Sequence, residues 1–181
     1  MKTNKKGFTI IEVVLVLAIA GLIFLMVFIA LPALQRSQRN TQRENDMSRL
    51  LTAVNDYQTN NNGKTPFNKT GDLANFITRY IDKECSGNSA ASATGSTEGV
   101  QFTSCGQQFT DPDGTPYILI NMGKATAGSV TGVVKDFDHT FYAYYNAGCG
   151  DEGEVKTGSG DREVAIFFVE EGGAIVCNDN H

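Results

Sequence analysis

The sequence predicts an α+β protein in which one long N-terminal helix precedes a head built on an antiparallel sheet. The first observation is an apolar run over residues 8–34 whose single charged residue is Glu12. The second is an apolar stripe with helical spacing, formed by Met47, Leu50, Leu51, Val54 and Tyr57. The third is a series of short apolar segments between Gly-rich turns in the second half of the chain. At 181 residues, the chain has room for one compact domain and an extension.

The long helix is predicted over residues 8–62. Its first part, residues 8–34, is long enough to span a membrane, because about 20 apolar residues cross a bilayer. The stripe that follows is expected to pack against the sheet. The sequence NNNG at residues 60–63, followed by Pro66, ends the helix with a glycine cap and a helix-incompatible residue. Residues 63–181 then form the head.

A removable signal peptide and a simple signal anchor are two interpretations of the apolar run, and neither explains Glu12. A signal peptide cleaved after Ala20 would carry a glutamate inside its apolar core, and the run continues well beyond that point. A carboxylate deep in a membrane helix costs about 2.5–3.5 kcal/mol. Since residues 8–34 contain no Lys, Arg or His, we expect the partner of Glu12 to come from outside this helix or from a new chain terminus.

Residues 5–12, KKGFTIIE, resemble the type IV prepilin signature that pilins share with type II secretion pseudopilins. The resemblance covers the leader and the whole anchor. It implies a leader of residues 1–7, cleavage between Gly7 and Phe8 by a prepilin peptidase, and methylation of the new N-terminal Phe8. It also implies that Glu12 meets the free amine of Phe8 on a neighbouring subunit.

The resemblance further implies a type IV pilin fold and a structural subunit without a cofactor. The expected partners are identical subunits in a filament, the prepilin peptidase, and an assembly platform with a cytoplasmic ATPase. The protein would sit in the cytoplasmic membrane before assembly and in an extracellular pilus afterwards. Gly21 and Pro32 mark the stretch where the helix is expected to melt or bend in the filament, the alternative being a tolerated kink.

Two other functions stay open at this point. A major pseudopilin of a type II secretion system would share the N-terminus, and a membrane-anchored enzyme or binding protein would carry its activity in the head. Neither His139 nor His181 belongs to a recognisable catalytic motif, and His139 is predicted to be a strand residue. We therefore expect a non-enzymatic pilin that serves adhesion or twitching motility.

Charged residues are distributed unevenly along the chain. Residues 63–181 contain eight basic and sixteen acidic residues, which gives the head a formal charge of −8. Such a head lacks the phosphate-neutralising surface that nucleic-acid binding needs, so direct binding of nucleic acid is not expected. In the helix, Arg36, Arg39 and Arg43 lie on one side. They either meet acidic residues of neighbouring subunits or form a solvated face beside the lipid headgroups.

All four cysteines lie in the polar part of the chain, which suggests disulfides formed in an oxidising compartment. Their spacings exclude close metal-binding pairs. Three pairings are possible. Pairing Cys85 with Cys105 and Cys149 with Cys177 is favoured because it closes consecutive local loops.

The head is expected to contain an αβ-loop region over residues 63–110 and a β-meander with a C-terminal loop over residues 111–181. In the first region, a short helix begins at Asp72, and the Ser-, Gly- and Ala-rich residues 86–99 are predicted to form an exposed loop. Strands are predicted at 116–121, 129–134, 140–146, 163–169 and 174–177.

The sequence DPDGTPY at residues 111–117 is the remaining candidate site. It is similar to a segment of major pseudopilins, which bind calcium nearby. Asp111 and Asp113 could supply oxygen ligands together with Asp151, Glu152 or Glu154. The alternative is a type I turn with Pro at its second position and Gly at its fourth.

Overall fold

The computed structural model describes residues 7–68, 72–81, 86–89, 98–103, 109–126, 128–129 and 139–181. The chain divides into two compact units, Met1–Gln38 and Arg39–His181. Helix α1 runs from Ile10 to Asn60, includes Pro32, and supplies residues to both units. It is shorter by two residues at each end than the predicted 8–62 segment.

The first unit consists, in its described part, of the beginning of α1 and the three residues before it. Its large apolar side chains are exposed, with Phe8 at 90% and Met26 at 73%. The helix contains a stretch long and apolar enough to cross a membrane. This exposed apolar surface is what a membrane or a bundle of like helices would cover.

In the residues that the structure describes, the second unit combines the rest of α1 with a short helix and nine strands. Helix α2 covers Asp72–Phe76 and continues into a π-helical segment, Ile77–Ile81. The strands are β1 Ser86–Ser89, β2 Glu98–Thr103, β3 Ile118–Lys124, β4 Gly128–Ser129, β5 Thr140–Tyr145, β6 Ala147–Cys149, β7 Glu154–Thr157, β8 Val164–Val169 and β9 Ile175–Asp179. Six of them form one sheet in the order β1-β2-β3-β5-β8-β9, and the other three form a second sheet in the order β4-β7-β6.

The large sheet is mostly antiparallel but not a meander. Strands β3 and β5 pair in parallel, with Ile118 opposite Thr140 and Leu119 opposite Phe141. Parallel neighbours need a crossover of a dozen or more residues. Of the chain between β3 and β5, the structure describes β4, which pairs in the small sheet. The prediction of an antiparallel meander is therefore wrong for β3 and β5, which are parallel neighbours.

The prediction of an exposed loop at 86–99 is wrong for residues 86–89 and 98–99, which belong to strands, and residues 90–97 lie outside the described part of the chain. Strand β1 pairs antiparallel with β2, placing Ser86 opposite Thr103 and Ser89 opposite Val100. Ladder hydrogen bonds come from the backbone and need no apolar side chains, so composition alone did not reveal β1.

The core lies on both faces of the large sheet. On one face, Leu50 and Val54 of α1 are fully buried with Phe141, Ile166 and Phe168. On the other face, Tyr142, Ala165 and Phe167 pack with Ala147 and Val155 of the small sheet. Strand β8 therefore buries consecutive side chains, as expected for a strand between two layers.

Candidate functional site

The bond between Gly7 and Phe8 lies just before α1, in exposed residues outside any helix or strand. Nothing lies within 4 Å of the position that a Cβ on Gly7 would occupy. The backbone on both sides of this bond is therefore open to an approaching protein, which a peptidase substrate requires. Cleavage here and methylation of Phe8 remain predictions.

Thr9 and Glu12 form a capping box at the start of α1. The Thr9 backbone N–H donates to Glu12 Oε2 at 2.8 Å, and the Thr9 hydroxyl donates to the same oxygen at 2.7 Å. In return, the Glu12 N–H donates to Thr9 Oγ1 at 3.4 Å. A threonine at the N-cap and a glutamate three residues later satisfy each other's polar groups in this way.

Glu12 thus has hydrogen-bond partners at the terminus of its own helix, while the pairing of its charge with the amine of Phe8 on a neighbouring subunit stays a prediction. Thr9 supplies hydrogen bonds from the first turn of the same helix. The signal was present in the sequence as T-x-x-E before an apolar run. An argument from charge alone does not reveal it, because Thr9 is uncharged.

Gly21 and Pro32 both lie inside an unbroken α1. Nothing is within 4 Å of a Cβ built on Gly21, so no packing contact requires glycine at that position. Melting or bending of residues 21–32 concerns the filament, and it stays a prediction.

A second group of polar residues joins α1 to the head within the second unit. We call it the Arg43 cluster and define it as Arg39, Arg43, Asp111, His139 and Glu171. Arg43 donates to both oxygens of Asp111, at 2.6 Å from Nε and 2.9 Å from Nη2. These two side chains are only 5% and 0% exposed.

Glu171 connects the two arginines of the cluster. It accepts two hydrogen bonds from Arg39, at 2.6 and 2.7 Å, and one from Arg43 at 3.0 Å. The hydrogen bonds from Arg39, supported by the positive charge of Arg43, lower the pKa of Glu171 to about 2. Both interpretations offered for Arg39 and Arg43 are thereby corrected, because these arginines bind acidic groups of their own head.

A neighbouring pair extends the polar contact between α1 and the sheet. The Tyr117 hydroxyl donates to Asp46 Oδ2 at 3.0 Å, and Arg49 donates to Asp46 Oδ1 at 3.1 Å. Burial raises the pKa of Tyr117, so its hydroxyl stays a donor at neutral pH. Burial also raises the pKa of Asp46, against the lowering effect of these two hydrogen bonds.

Residues 111–115 form the turn that was the alternative to a calcium loop. The Gly114 N–H donates to the Asp111 carbonyl at 2.8 Å, and Gly114 has φ +89°. The Asp113 N–H donates to Asp111 Oδ1 at 3.1 Å. Asp111 is thus a turn-forming residue whose carboxylate is held by Arg43.

His139 lies in the turn before β5, with φ 62°, and is not the strand residue that we predicted. Its Nδ1 lies 3.1 Å from Asp111 Oδ2, and its Nε2 lies 3.2 Å from Asp113 Oδ2. These three side chains place ligand atoms within 4.8 Å of one another. Asp111, however, faces Nδ1 of His139, and Asp113 faces Nε2. The two nitrogens of one imidazole ring cannot bind the same metal ion. Among the described residues, Asp151 and Glu154 do not belong to this group.

A disulfide joins Cys149 of β6 to Cys177 of β9, with a Cα–Cα distance of 5.8 Å. It connects the small sheet to the edge of the large one. This is one of the two pairings that the local-loop argument favours. Cys85 and Cys105, the other pair, lie outside the described residues.

Sequence reasoning missed Thr9, Asp46, Tyr117 and Glu171. Thr9 was visible in a short motif, whereas the other three meet partners between 71 and 132 residues away along the chain. Pairing over such separations depends on how the sheet lies on α1, which the sequence pattern does not specify.

Residues 2–28 match the family described as the prokaryotic N-terminal methylation motif. No curated protein and no solved structure matches the chain. The matched segment contains Gly7, Phe8, the capping box and most of the exposed apolar part of α1. The chain therefore carries the type IV prepilin signature, and its long apolar helix, antiparallel-rich sheet and disulfide fit a type IV pilin or pseudopilin.

Proposed function

We propose that this protein is the major pilin of a type IV pilus. The observation that carries the proposal is the methylation motif at residues 2–28, which includes Glu12 as the single charged residue of an exposed apolar helix. The motif points to a structural subunit rather than an enzyme. Adhesion and twitching motility are the functions that such a filament would serve.

Assembly begins with removal of residues 1–7 by the prepilin peptidase. This step creates a free amine on Phe8, which is then methylated. Residues 8–34 hold the subunit in the cytoplasmic membrane until an assembly platform, driven by a cytoplasmic ATPase, moves it into the filament. There the apolar helices pack together and the acidic heads form the outer surface.

Glu12 determines the register of this packing. Its carboxylate pairs with the amine of Phe8 on a neighbouring subunit. At about 4 Å and an effective dielectric constant near 20, such a pair gains roughly 4 kcal/mol before desolvation costs. Identical subunits are therefore the principal partners.

The test is the Glu12→Ala variant, produced in cells that assemble the wild type. We expect normal membrane insertion and a loss of most filaments, measured as subunit in sheared surface material. Glu44→Ala, which removes an exposed carboxylate from the same helix, is the matched control and should assemble normally. Wild-type filaments should contain a chain that begins at Phe8. Abundant Glu12→Ala filaments, or subunits in intact filaments that still begin at Met1, contradict the proposal.

The second candidate is a major pseudopilin, favoured by the DPDGTPY sequence at residues 111–117. A pseudopilin would share every step up to assembly but would not form long surface filaments at native expression. Electron microscopy of sheared surface material separates the two functions.

A further inference from the structure

We propose that neighbouring subunits also bind each other through their heads, by two oppositely charged faces that lie at opposite ends of the second unit. The partner is a second copy of this chain. The inference rests on the proposed function, because it concerns the same filament, and it adds a polar contact outside the apolar helices.

The basic face lies at the C-terminal end of α1. The Lys64 N–H donates to the Asn61 carbonyl at 3.2 Å, and Arg79 lines a cavity of about 240 Å³ together with Asn61. Arg162 reaches the same helix end, since its Nε lies 3.0 Å from the position that a Cβ on Gly63 would occupy. We call Lys64, Arg79 and Arg162 the distal basic face. All three are exposed, and none forms an ion pair with a residue that the structure describes.

The acidic face lies beside the Arg43 cluster, where a cavity of about 220 Å³ opens. Among the described residues, its lining combines three carboxylates, from Asp113, Glu170 and Glu171, with one arginine, Arg43. The arginines of the cluster already hold Glu171. Asp113 contacts His139 at 3.2 Å, but neither Asp113 nor Glu170 is paired with a described lysine or arginine. We call Asp113 and Glu170 the proximal acidic face.

Glu170 also lies beside Glu44 of α1. Partial burial and the negative charge of Glu44 raise the pKa of Glu170. A cation from a neighbouring subunit would therefore relieve a repulsion that exists within each head. Removing Glu44 leaves Glu170 more readily ionised and the proximal acidic face intact, so Glu44→Ala is still expected to assemble.

The two faces are too far apart to pair within one head. Arg43 and Asn60 mark the two ends, and a rise of 1.5 Å per residue places them about 25 Å apart along α1. Identical subunits that repeat in one orientation contact each other through different faces, which gives an open filament rather than a closed pair. The distal basic face of one head and the proximal acidic face of another are complementary in charge, as such a contact needs.

This contact is weak on its own. Ion pairs at an exposed surface contribute little and are weakened by salt, so isolated heads stay monomeric. In the filament, the packed apolar helices hold neighbouring heads at a high effective concentration, and the contact recurs at every subunit.

The test reverses the charge of each face in cells that assemble the wild type. We expect Lys64→Glu/Arg79→Glu and Asp113→Lys/Glu170→Lys each to lower the filament yield, normalised to leader-cleaved subunit, by at least about tenfold, because like charges then face each other. Combining the four substitutions restores opposite charges and should bring the yield to within about threefold of the wild type. A combined variant that assembles no better than the separate ones overturns the proposal.

The matched control is Lys156→Glu, which reverses an exposed lysine of β7 outside both faces. It should assemble within about twofold of the wild type, because a surface substitution away from a contact has little effect. If Lys156→Glu lowers the yield as much as Lys64→Glu/Arg79→Glu does, net charge rather than a specific contact controls assembly, and the proposal is wrong.

A measurement on wild-type filaments covers the case in which a reversed head does not fold. A carbodiimide forms an amide between an amine and a carboxylate that are in contact. Mass spectrometry of treated filaments should find Lys64 linked to Asp113 or Glu170, and the separation of the two faces means that such a link joins two subunits. Absence of this link from intact filaments refutes the contact, whatever the yields.

Glu12 separates this inference from the proposed function. If the charge-reversed variants assemble as well as the wild type while Glu12→Ala does not, the contact between heads is refuted and the assembly role of Glu12 stands. If Glu12→Ala assembles normally, the proposed function itself fails.

Discussion

Arg43 and Asp111 bring two opposite charges into the interior of the second unit. A buried pair of this kind contributes little compared with a well-packed apolar pair, but removing one partner leaves an unpaired buried charge. For Arg43→Met, we therefore expect the free energy of unfolding to fall by about 3–5 kcal/mol. The measurement is thermal or denaturant unfolding of the full chain in micelles, followed by the near-ultraviolet circular dichroism of the head.

Two further variants show whether the effect comes from the buried charge. Arg39→Met removes an arginine whose side chain is 35% exposed, so it should destabilise far less than Arg43→Met. The double variant Arg43→Met/Asp111→Asn removes both charges and keeps an acceptor for the Asp113 N–H. It should recover a large part of the lost stability, and failure to do so would assign the loss to packing.

Glu171 makes the stability of the folded head depend on pH. Its pKa is lowered from 4.5 to about 2 in the folded protein. A carboxylate with a lowered pKa in the folded state stabilises above its unfolded pKa and loses this contribution as the pH falls through its folded pKa. The head should therefore lose stability between about pH 4.5 and pH 2.

The Glu171→Gln variant isolates that contribution. Denaturant midpoints compared at about pH 5 and about pH 2.5 should fall less in the variant than in the wild type. Asp46 acts in the opposite direction, because its raised pKa makes its contribution grow on acidification. A steeper decrease in Glu171→Gln than in the wild type would show that Glu171 does not stabilise the folded head.

At the scale of elements, the sequence predicts those with strong periodicity. The stripe from Met47 to Tyr57 predicts the buried face of α1, and alternating or continuous apolar residues predict β3, β5, β8 and β9. It does not predict β1, β2, β6 and β7. Strands β1, β6 and β7 are short and rich in Gly, Ser or charged residues, and β2 begins inside the predicted 86–99 loop. Their places depend on backbone pairing with strands already present.

The residues of the candidate site also differ in how far the sequence predicts them. Gly7, Phe8 and Glu12 can be proposed from the sequence because their signature is local, and Thr9 is equally local. The Arg43 cluster was not found, because an arginine on an amphipathic helix has the same sequence pattern whether it faces solvent or a carboxylate 68 residues away. Only the position of the 111–115 turn on α1 decides between the two.

The Cys149–Cys177 disulfide holds the small sheet to the large one. It closes a loop of 28 residues, for which chain entropy predicts a stabilisation of about 3–4 kcal/mol. The double variant Cys149→Ser/Cys177→Ser should lower the free energy of unfolding by about 2–4 kcal/mol. Hydrogen exchange should increase most in β6, β7 and β9, and a uniform increase over all strands would contradict this local role.

At the scale of the whole molecule, the two units should differ in what they need for stability. The residues of both core clusters lie between Met47 and Phe168, within the second unit. The large apolar residues of the first unit are exposed and have no part in that core. Removing residues 1–34 should therefore leave a folded, water-soluble head.

The last prediction compares two N-terminal truncations. A fragment of residues 35–181 keeps Arg39 and Arg43, whereas a fragment of residues 45–181 removes both and leaves Asp111 and Glu171 without them. We expect the first fragment to be monomeric and to unfold within a few degrees of the full chain. The second should be less stable by at least about 3 kcal/mol, although both retain every residue of the core clusters. Equal stability of the two fragments would mean that the apolar face of α1 alone holds the head on the helix, and that the Arg43 cluster contributes nothing to its attachment.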